Sequence, residues 1–414
     1  MVKRSVGVVG GGLVGVCCAL YLQRDGHRVV LLERDDIGGG ASFGNAGIMS
    51  SGGCVPIGMP GLIWKVPRML LDAHGPLVIR WRYMASIAPW LARLVRASSK
   101  ERVEQISVAM ASLLAEAETA FHELLGAQDY ERFIRHMGLL FPYKSEAAFA
   151  GAAATRELRS RRGISFQVID QRELRELEPT LSGDHVKGVF FPDARHTVDP
   201  HALTKHLASV FASQGGEIAC TSIASVNIEE SARPAITSDA GARQFERLVI
   251  AAGAWSKPLA RAAGNRIPLD TERGYHAMLP APGVSPRIPM ISGDHQIAIT
   301  PMSNGLRLTG TVEFAGLRAP ADPSRVESMI RVAERLLPGL RREGATSWLG
   351  FRPSTPDSLP VIGPSSATPN VLFAFGHGHL GVTNAAVTGK IIADLVAERA
   401  PPLDIAPFRP DRFW

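Results

Sequence analysis

A chain of 414 residues, 45% hydrophobic and 20% charged, carries enough apolar surface to bury a core. That excludes an intrinsically disordered polymer, and at roughly 100–200 residues per domain it fills two or three units. Its 45 Lys and Arg against 39 Asp and Glu give a net charge of +6, spread without a basic block or aromatic-basic interleave, so no nucleic-acid partner is expected.

In chain order, Met1-Val-Lys-Arg precedes an uncharged run that has the outline of a signal peptide. Gly7, Gly10, Gly11, Gly12 and Gly15 break that run and suit a strand, turn and helix instead. Val6–Val9 reads as a buried strand, Val14–Asp25 as a helix stopped by Gly26, and Val29–Leu32 as a second strand ending at Glu33. This is the size of a parallel crossover. Residues 38–58 are rich in Gly, Ser and Asn and read as loop, and the Ala-rich Val103–Leu125 reads as an amphipathic helix. Glu173–Leu177 and Pro200–Gln214 are predicted helices, and Leu248–Ala252 a third apolar strand. His295–Thr300 and Leu306–Thr311 alternate as a hairpin around Ser303-Asn304-Gly305, and Ser324–Leu337 and Thr383–Glu398 are the closing helices. No stretch approaches the roughly 18 apolar residues of a membrane span. Cys17, Cys18, Cys54 and Cys220 lack metal-ligand spacing, and the adjacent pair would close a strained ring. Neither a metal site nor a disulfide scaffold is expected, and a reducing cytoplasm fits.

Gly10-Gly11-Gly12-Leu13-Val14-Gly15 is a G-x-G-x-x-G that follows a strand, opens a helix and is answered by Glu33 at the end of the next strand. In that context it is a dinucleotide fingerprint. Gly10 permits the turn, Gly12 lets a pyrophosphate approach the backbone, Gly15 lets helix and strand pack, and Glu33 accepts from ribose hydroxyls. The first 35 residues do not separate NAD from FAD. The small-residue loop 40–47, with Ala41, Ser42, Asn45, Ala46 and Gly47, and a second glycine-rich turn, Gly376–Thr383, favour FAD. The second turn is expected to open the last helix and to aim its N-terminal dipole at the negatively charged edge of a reduced flavin.

These motifs resemble the FAD-dependent amino-acid and amine oxidoreductase superfamily that includes D-amino acid oxidase and glycine oxidase. The bacterial D-amino acid dehydrogenase small-subunit branch is the most similar. The resemblance runs through His74-Gly75-Pro76-Leu77, Arg273-Gly274-Tyr275 (often Lys-Gly-Tyr in the family), Gln296–Thr300, Trp348–Asp357 and Gly376–Gly381. It implies an α/β fold: a Rossmann-like FAD-binding domain (1–55, 150–262 and 340–414) and a discontinuous α+β substrate domain carrying an antiparallel sheet (56–149 and 263–339). The FAD-binding positions it implies are Gly10, Gly12, Leu13, Val14, Gly15, Glu33, Arg34, Ala41, Ser42, Asn45, Ala46, Gly47, Ile223, Ala252, Gly253, Gly350, Gly378, His379, Leu380, Gly381 and Thr383.

Arg352, in an apolar context, takes the place of the arginine that binds the substrate carboxylate; a salt bridge to Asp357 is the alternative for it. Tyr275 is expected to add a phenol to the same carboxylate, or to be an ordinary half-buried aromatic. His379 stands open between a catalytic and a structural role, His377 reads as structural, and Asn45 and His276 as local caps. Thr383 suits either flavin O2 or a helix cap. The implied reaction is hydride transfer from the Cα of a D-amino acid to flavin N5, giving an imino acid that water hydrolyses to a 2-oxo acid and ammonia. Alternatives are a cyclic imino acid such as 4-hydroxy-D-proline, an oxidase using O₂, and a non-catalytic flavin-binding protein. Residues 61–96 hold Lys65, Arg68, Arg80, Arg82, Arg93 and Arg96 against Asp72, together with Trp64, Trp81 and Trp90. They read either as a peripheral surface on the cytoplasmic face of the inner membrane, passing electrons to a quinone, or as the helical cover of the substrate domain.

Overall fold

The computed structural model describes residues 2–49, 51–61, 77–228 and 233–413. Ser5–Val9, Leu13–Arg24 and Arg28–Glu33 form the expected strand, helix and strand. The two strands pair in parallel and sit inside a six-stranded sheet. Its order is Glu217–Cys220, Arg28–Glu33, Ser5–Val9, Arg247–Ile250, Val371–Phe375 and Val361–Pro364, parallel except for the last strand. Near-continuous apolar runs such as Val6–Val9 suit strands covered on both faces. Helix Leu13–Arg24 packs against helix Ala385–Val396 so closely that a Cβ on Gly389 would stand 2.7 Å from the Cys17 backbone. That crossing buries Cys17 and Cys18 as reduced thiols in the core.

The predicted helix starts earlier than expected, at Lys100 behind the Ser99 cap, and the non-helical Gly126, at φ 67°, separates it from a second helical segment that runs to Phe133. Pro200–Ser213 starts where Asp199 Oδ1 accepts from the N–H groups of His201 and Ala202. The predicted hairpin is present as Ala298–Met302 against Gly305–Phe314. It belongs to a nine-stranded sheet in which Thr346–Ser354, Asp270–Leu279, Gly305–Phe314 and Ala298–Met302 run antiparallel in that order. The sheet continues through Met290–Ile291 to Leu139–Tyr143, Lys187–Phe191 and Gln167–Asp170, and its ninth strand, Leu77–Ile79, pairs in parallel with the end of Gly305–Phe314. Strands from 150–191 and 346–354, placed by the sequence reading with the dinucleotide unit, therefore belong to this second sheet. Hydrogen-bond register assigns a strand to its sheet, and register cannot be seen in a linear boundary.

Of residues 61–96, those from 62 to 76, with Trp64, Lys65, Arg68, Asp72 and His74, lie outside the described residues. Beyond them, helix Met84–Ala97 buries Ile87, Trp90 and Leu94, Arg80 pairs with buried Glu313, and Trp81 is exposed. Among the described residues no helix is long and apolar enough to cross a membrane.

Candidate active site

A cavity of about 1190 Å³ runs from the carboxyl ends of the parallel strands to the nine-stranded sheet. At its first end the glycines divide the labour as the fingerprint requires. Gly10 has φ 115°, and a Cβ on Gly15 would overlap the Gly10 carbonyl. A Cβ on Gly12 would meet only Ser42 Oγ, at 3.6 Å, so the space beside this residue is open. The helix that starts at Leu13 has no capping side chain from Gly12 and no acid in its first turn. Ser42 Oγ accepts from the Leu13 N–H at 3.0 Å. Glu33 accepts from the N–H groups of Gly11, Arg34 and Asp35, which fixes its carboxylate at the cavity rim. The Arg34 guanidinium lies 4.0 Å over the Trp255 ring, and Val14, Ile223, Ala252 and Gly253 complete this end. An open glycine, free helix N–H groups and a carboxylate at the next strand end fit the pyrophosphate and ribose of a dinucleotide.

Ala41, Ser42, Asn45 and Ala46 line the middle of the cavity. Buried Arg307 shapes their loop by donating to the carbonyls of Phe43 and Asn45, at 3.1 and 2.7 Å, while burial draws its guanidinium down to about 10. Asn45 Oδ1 accepts from the N–H of Gly47, which has φ 72°. His276 stacks with Trp348 and Phe43. Both Asn45 and His276 thus serve the local structure with the side-chain contacts they make.

At the far end, register builds the wall. Glu272 and Gly274 stand opposite Arg352 and Gly350 on antiparallel strands, so their Cβ directions share one face. Gly274 is what gives Arg352 its place, because a Cβ there would overlap the guanidinium. Arg352 Nη1 donates to the Thr311 carbonyl at 3.0 Å. Thr311 lies where the ladder between the Asp270–Leu279 and Gly305–Phe314 strands slips, with φ 61°, a conformation a β-branched residue rarely takes. Among the described residues no carboxylate lies within ion-pair distance of Arg352, and burial lowers its pKa, with Glu272 acting in the opposite sense. The alternative partner is occupied elsewhere: Asp357 Oδ2 accepts from Arg412 Nε at 2.8 Å. Glu272 accepts from Ser354 Oγ at 2.6 Å, and burial raises its carboxyl.

The residues of the second glycine-rich turn reach this wall by a different route than expected. Gly378–Leu380 is a 3-10 turn and the helix begins only at Ala385. The positive φ angles of Gly376 and Gly378 bend the chain before a helix can start. His379 lines the cavity and is exposed to that space, with protein packed around it. Burial, assisted by the Arg352 charge, lowers it to about 4, so its imidazole is neutral. His377 is buried and shares a 2.9 Å hydrogen bond with Thr388 Oγ1. The Thr383 hydroxyl donates to the Ile48 carbonyl at 3.3 Å, which makes it a brace for the loop and not a cap of the helix.

Tyr275 is a residue of the cavity wall whose hydroxyl is engaged away from Arg352. On its strand it alternates with Gly274 and His276, and its hydroxyl donates to Glu313 Oε2 at 2.8 Å while accepting from the Asp322 N–H at 2.9 Å. The phenol is thus turned to the helix Pro323–Leu336 side of the sheet, away from the Arg352 guanidinium. Sequence reasoning missed Thr311, the partner of Arg352, and Arg159, a second arginine on the cavity wall. Neither carries a local signal: Thr311 sits in an ordinary alternating strand, and Arg159 among the other arginines of 156–162.

Comparison with known proteins agrees with this architecture. Residues 5–395 match the DAO family, described as FAD-dependent oxidoreductase. The chain is 35% identical over 417 residues to a D-amino-acid oxidase from Bradyrhizobium diazoefficiens, covering 99% of each. It is 30% identical to D-amino acid dehydrogenase 1 from Mesorhizobium japonicum, covering 98% of this chain and 99% of that one. In fold it is similar to glycine oxidase from Geobacillus kaustophilus, with a TM-score of 0.72, 23% identity, and 99% and 98% of the two chains covered. It is likewise similar to L-proline dehydrogenase from P. horikoshii, with a TM-score of 0.75, 18% identity and the same coverage. With its fingerprint, cavity and matched length together, the chain belongs to the family of FAD-dependent oxidoreductases.

Proposed function

We propose that the protein oxidises D-amino acids at Cα, giving an imino acid that water hydrolyses to a 2-oxo acid and ammonia. The observation that carries this reading is Arg352, a guanidinium enclosed by protein at the wall of the dinucleotide cavity and without an ion-pair partner among the described residues. Charge buried without a counterion is costly, and the planar fork matches a carboxylate. The names of the relatives at 30% to 35% identity support the same substrate class.

In this reading Gly10, Gly12, Leu13, Val14 and Gly15 hold the pyrophosphate, Glu33 and Arg34 the ribose side, and Ile223, Ala252 and Gly253 the adenosine. Ala41, Ser42, Asn45, Ala46 and Gly47 enclose the isoalloxazine with Gly350, Gly378, His379, Leu380 and Gly381. Bound there, FAD supplies the two-electron acceptor for the substrate Cα–H. Arg352 binds the carboxylate with the nitrogens that Thr311 leaves free, and so fixes the direction of that Cα–H. Neutral His379 provides a hydrogen bond beside the guanidinium without a second positive charge. The acceptor that regenerates the enzyme is, in this reading, a quinone or another non-oxygen acceptor, as the dehydrogenase names of several relatives suggest.

The test is anaerobic mixing of the yellow holoenzyme with D- and L-amino acids and 4-hydroxy-D-proline. Bleaching of the flavin band by D-enantiomers is expected, with slow recovery in air and fast recovery on adding a soluble quinone. Bleaching by proline derivatives alone moves the substrate to the cyclic imino acids. An inert flavin overturns the reading.

A further inference from the structure

Three arginines line the main cavity: Arg34, Arg159 and Arg352. Arg34 pairs with Asp35, which leaves Arg159 and Arg352 without a carboxylate among the described residues. Arg159 comes from helix Ala153–Arg161 and is held from behind. Its Nε donates to the Gly52 carbonyl at 2.9 Å, and its guanidinium carbon stands 5.1 and 5.4 Å from the ring centres of Phe191 and Phe141. Of the other enclosed arginines, Arg273 pairs with Glu313 and Arg325 with Asp322, while Arg307 spends its donors on the Phe43 and Asn45 carbonyls. For Arg159 the pattern differs: the Nε hydrogen bond and the two rings hold the guanidinium at the cavity wall, and among the described residues its terminal nitrogens have no carboxylate. A guanidinium preorganised in this way offers two parallel donors to a planar anion.

Its location is equally specific. A smaller cavity of about 370 Å³ adjoins the main one, and Phe141, Arg159 and Gln296 line both. Gln296 holds φ 54°, and its neighbour Ile297 packs on Gly310, next to the Thr311 that holds Arg352. Arg352 and Arg159 therefore belong to neighbouring stretches of one cavity, with the second opening beyond Arg159.

Resting on the D-amino acid reading above, we propose that Arg159 binds a second carboxylate at the end of the substrate side chain, so that acidic D-amino acids such as D-glutamate are the preferred substrates. Arg352 takes the α-carboxylate, and the distal carboxylate meets the preorganised donors of Arg159. A charge-assisted pair of this kind corresponds to about 10- to 100-fold in kcat/KM.

The experiment compares D-glutamate with D-glutamine, which has nearly the same shape and no side-chain charge, in the holoenzyme and in its Arg159→Met and Arg159→Lys variants. D-Glutamate is expected to lead by about tenfold or more, with the ratio falling towards one in Arg159→Met and to an intermediate value in Arg159→Lys. Calorimetric titration of the holoenzyme with glutarate and pentanoate gives a readout independent of turnover. Glutarate is expected to bind more tightly, and the difference is expected to vanish in Arg159→Met. Equal kcat/KM for D-glutamate and D-glutamine, with D-glutamine turned over, overturns this inference and leaves the D-amino acid reading standing. If no D-amino acid reduces the flavin, that reading fails instead, and equal affinity for glutarate and pentanoate then overturns the role of Arg159 separately.

Discussion

Arg352 depends on two neighbours that its own sequence context does not reveal. Gly274 clears the space it occupies, and the Thr311 carbonyl holds one of its terminal nitrogens. Arg352→Leu is expected to lower kcat/KM for D-amino acids by about 10²- to 10³-fold, since truncating one side of a buried charge pair costs roughly 2–5 kcal/mol. Gly274→Ala keeps the charge and displaces it. A loss of about 10²-fold is expected, consistent with the sensitivity of catalysis to a displacement of about 1 Å. Steady-state kinetics on both variants, with flavin absorbance to verify cofactor content, checks the pair. The roles of Gly10 and Gly15 were legible in the sequence because fingerprint, strand and helix are local to one another. The role of Gly274 was not, because the atom it accommodates lies on another strand 78 residues further along.

At the level of elements, the slip in the ladder at Thr311 turns a carbonyl towards Arg352 at the cost of a left-handed β-branched residue. Such strain amounts to about 1–3 kcal/mol. Thr311→Gly should therefore raise the melting temperature, or at least not lower it, while a freer backbone weakens the hold on Arg352 and raises KM. Thermal unfolding and kinetics on the same preparation separate the two effects. The same slip is invisible in the sequence. Apolar alternation locates the hairpin at 295–311, within a few residues of the observed strands, but not which face each residue of Asp270–Leu279 presents. Tyr275 thus lines the cavity with its hydroxyl tied to Glu313, a partner that alternation does not reveal. The last helix was also drawn too early, because a glycine-rich run looks alike whether it opens a helix or delays one.

Across the whole molecule, burial of histidine gives stability a defined pH dependence. It lowers His196 and His276 to about 4 and His377 to about 3, below the usual unfolded value of about 6.5. Between these limits the unfolded chain binds more protons than the folded one. The histidine contribution is fully present above about 6.5 and is lost as pH falls towards 4. Asp270 and Glu272, whose carboxyls burial raises, act in the opposite sense. His276→Phe, which keeps a stacking ring beside Trp348, isolates one histidine. Unfolding free energies measured from pH 7 to 5 should show a shallower slope, by at most about 1.4 kcal/mol per pH unit. An unchanged slope would mean that His276 is protonated in the folded protein.

The bare stretch of sheet at Gly274 has a consequence for a chain that lacks the arginine. With no side chain of its own there, the strand offers a flat slot of peptide surface, bounded by the Trp348 ring that covers Gly350 and supplied with the Thr311 carbonyl as an acceptor. Arg352→Ala leaves that slot vacant and shaped for a small planar cation. Guanidinium or a short alkylguanidine added to the solution should enter it and restore part of the lost turnover in a saturable way, whereas methylammonium, compact and not planar, should restore less. The arginine would then be a replaceable part, and Gly274 the floor of its socket.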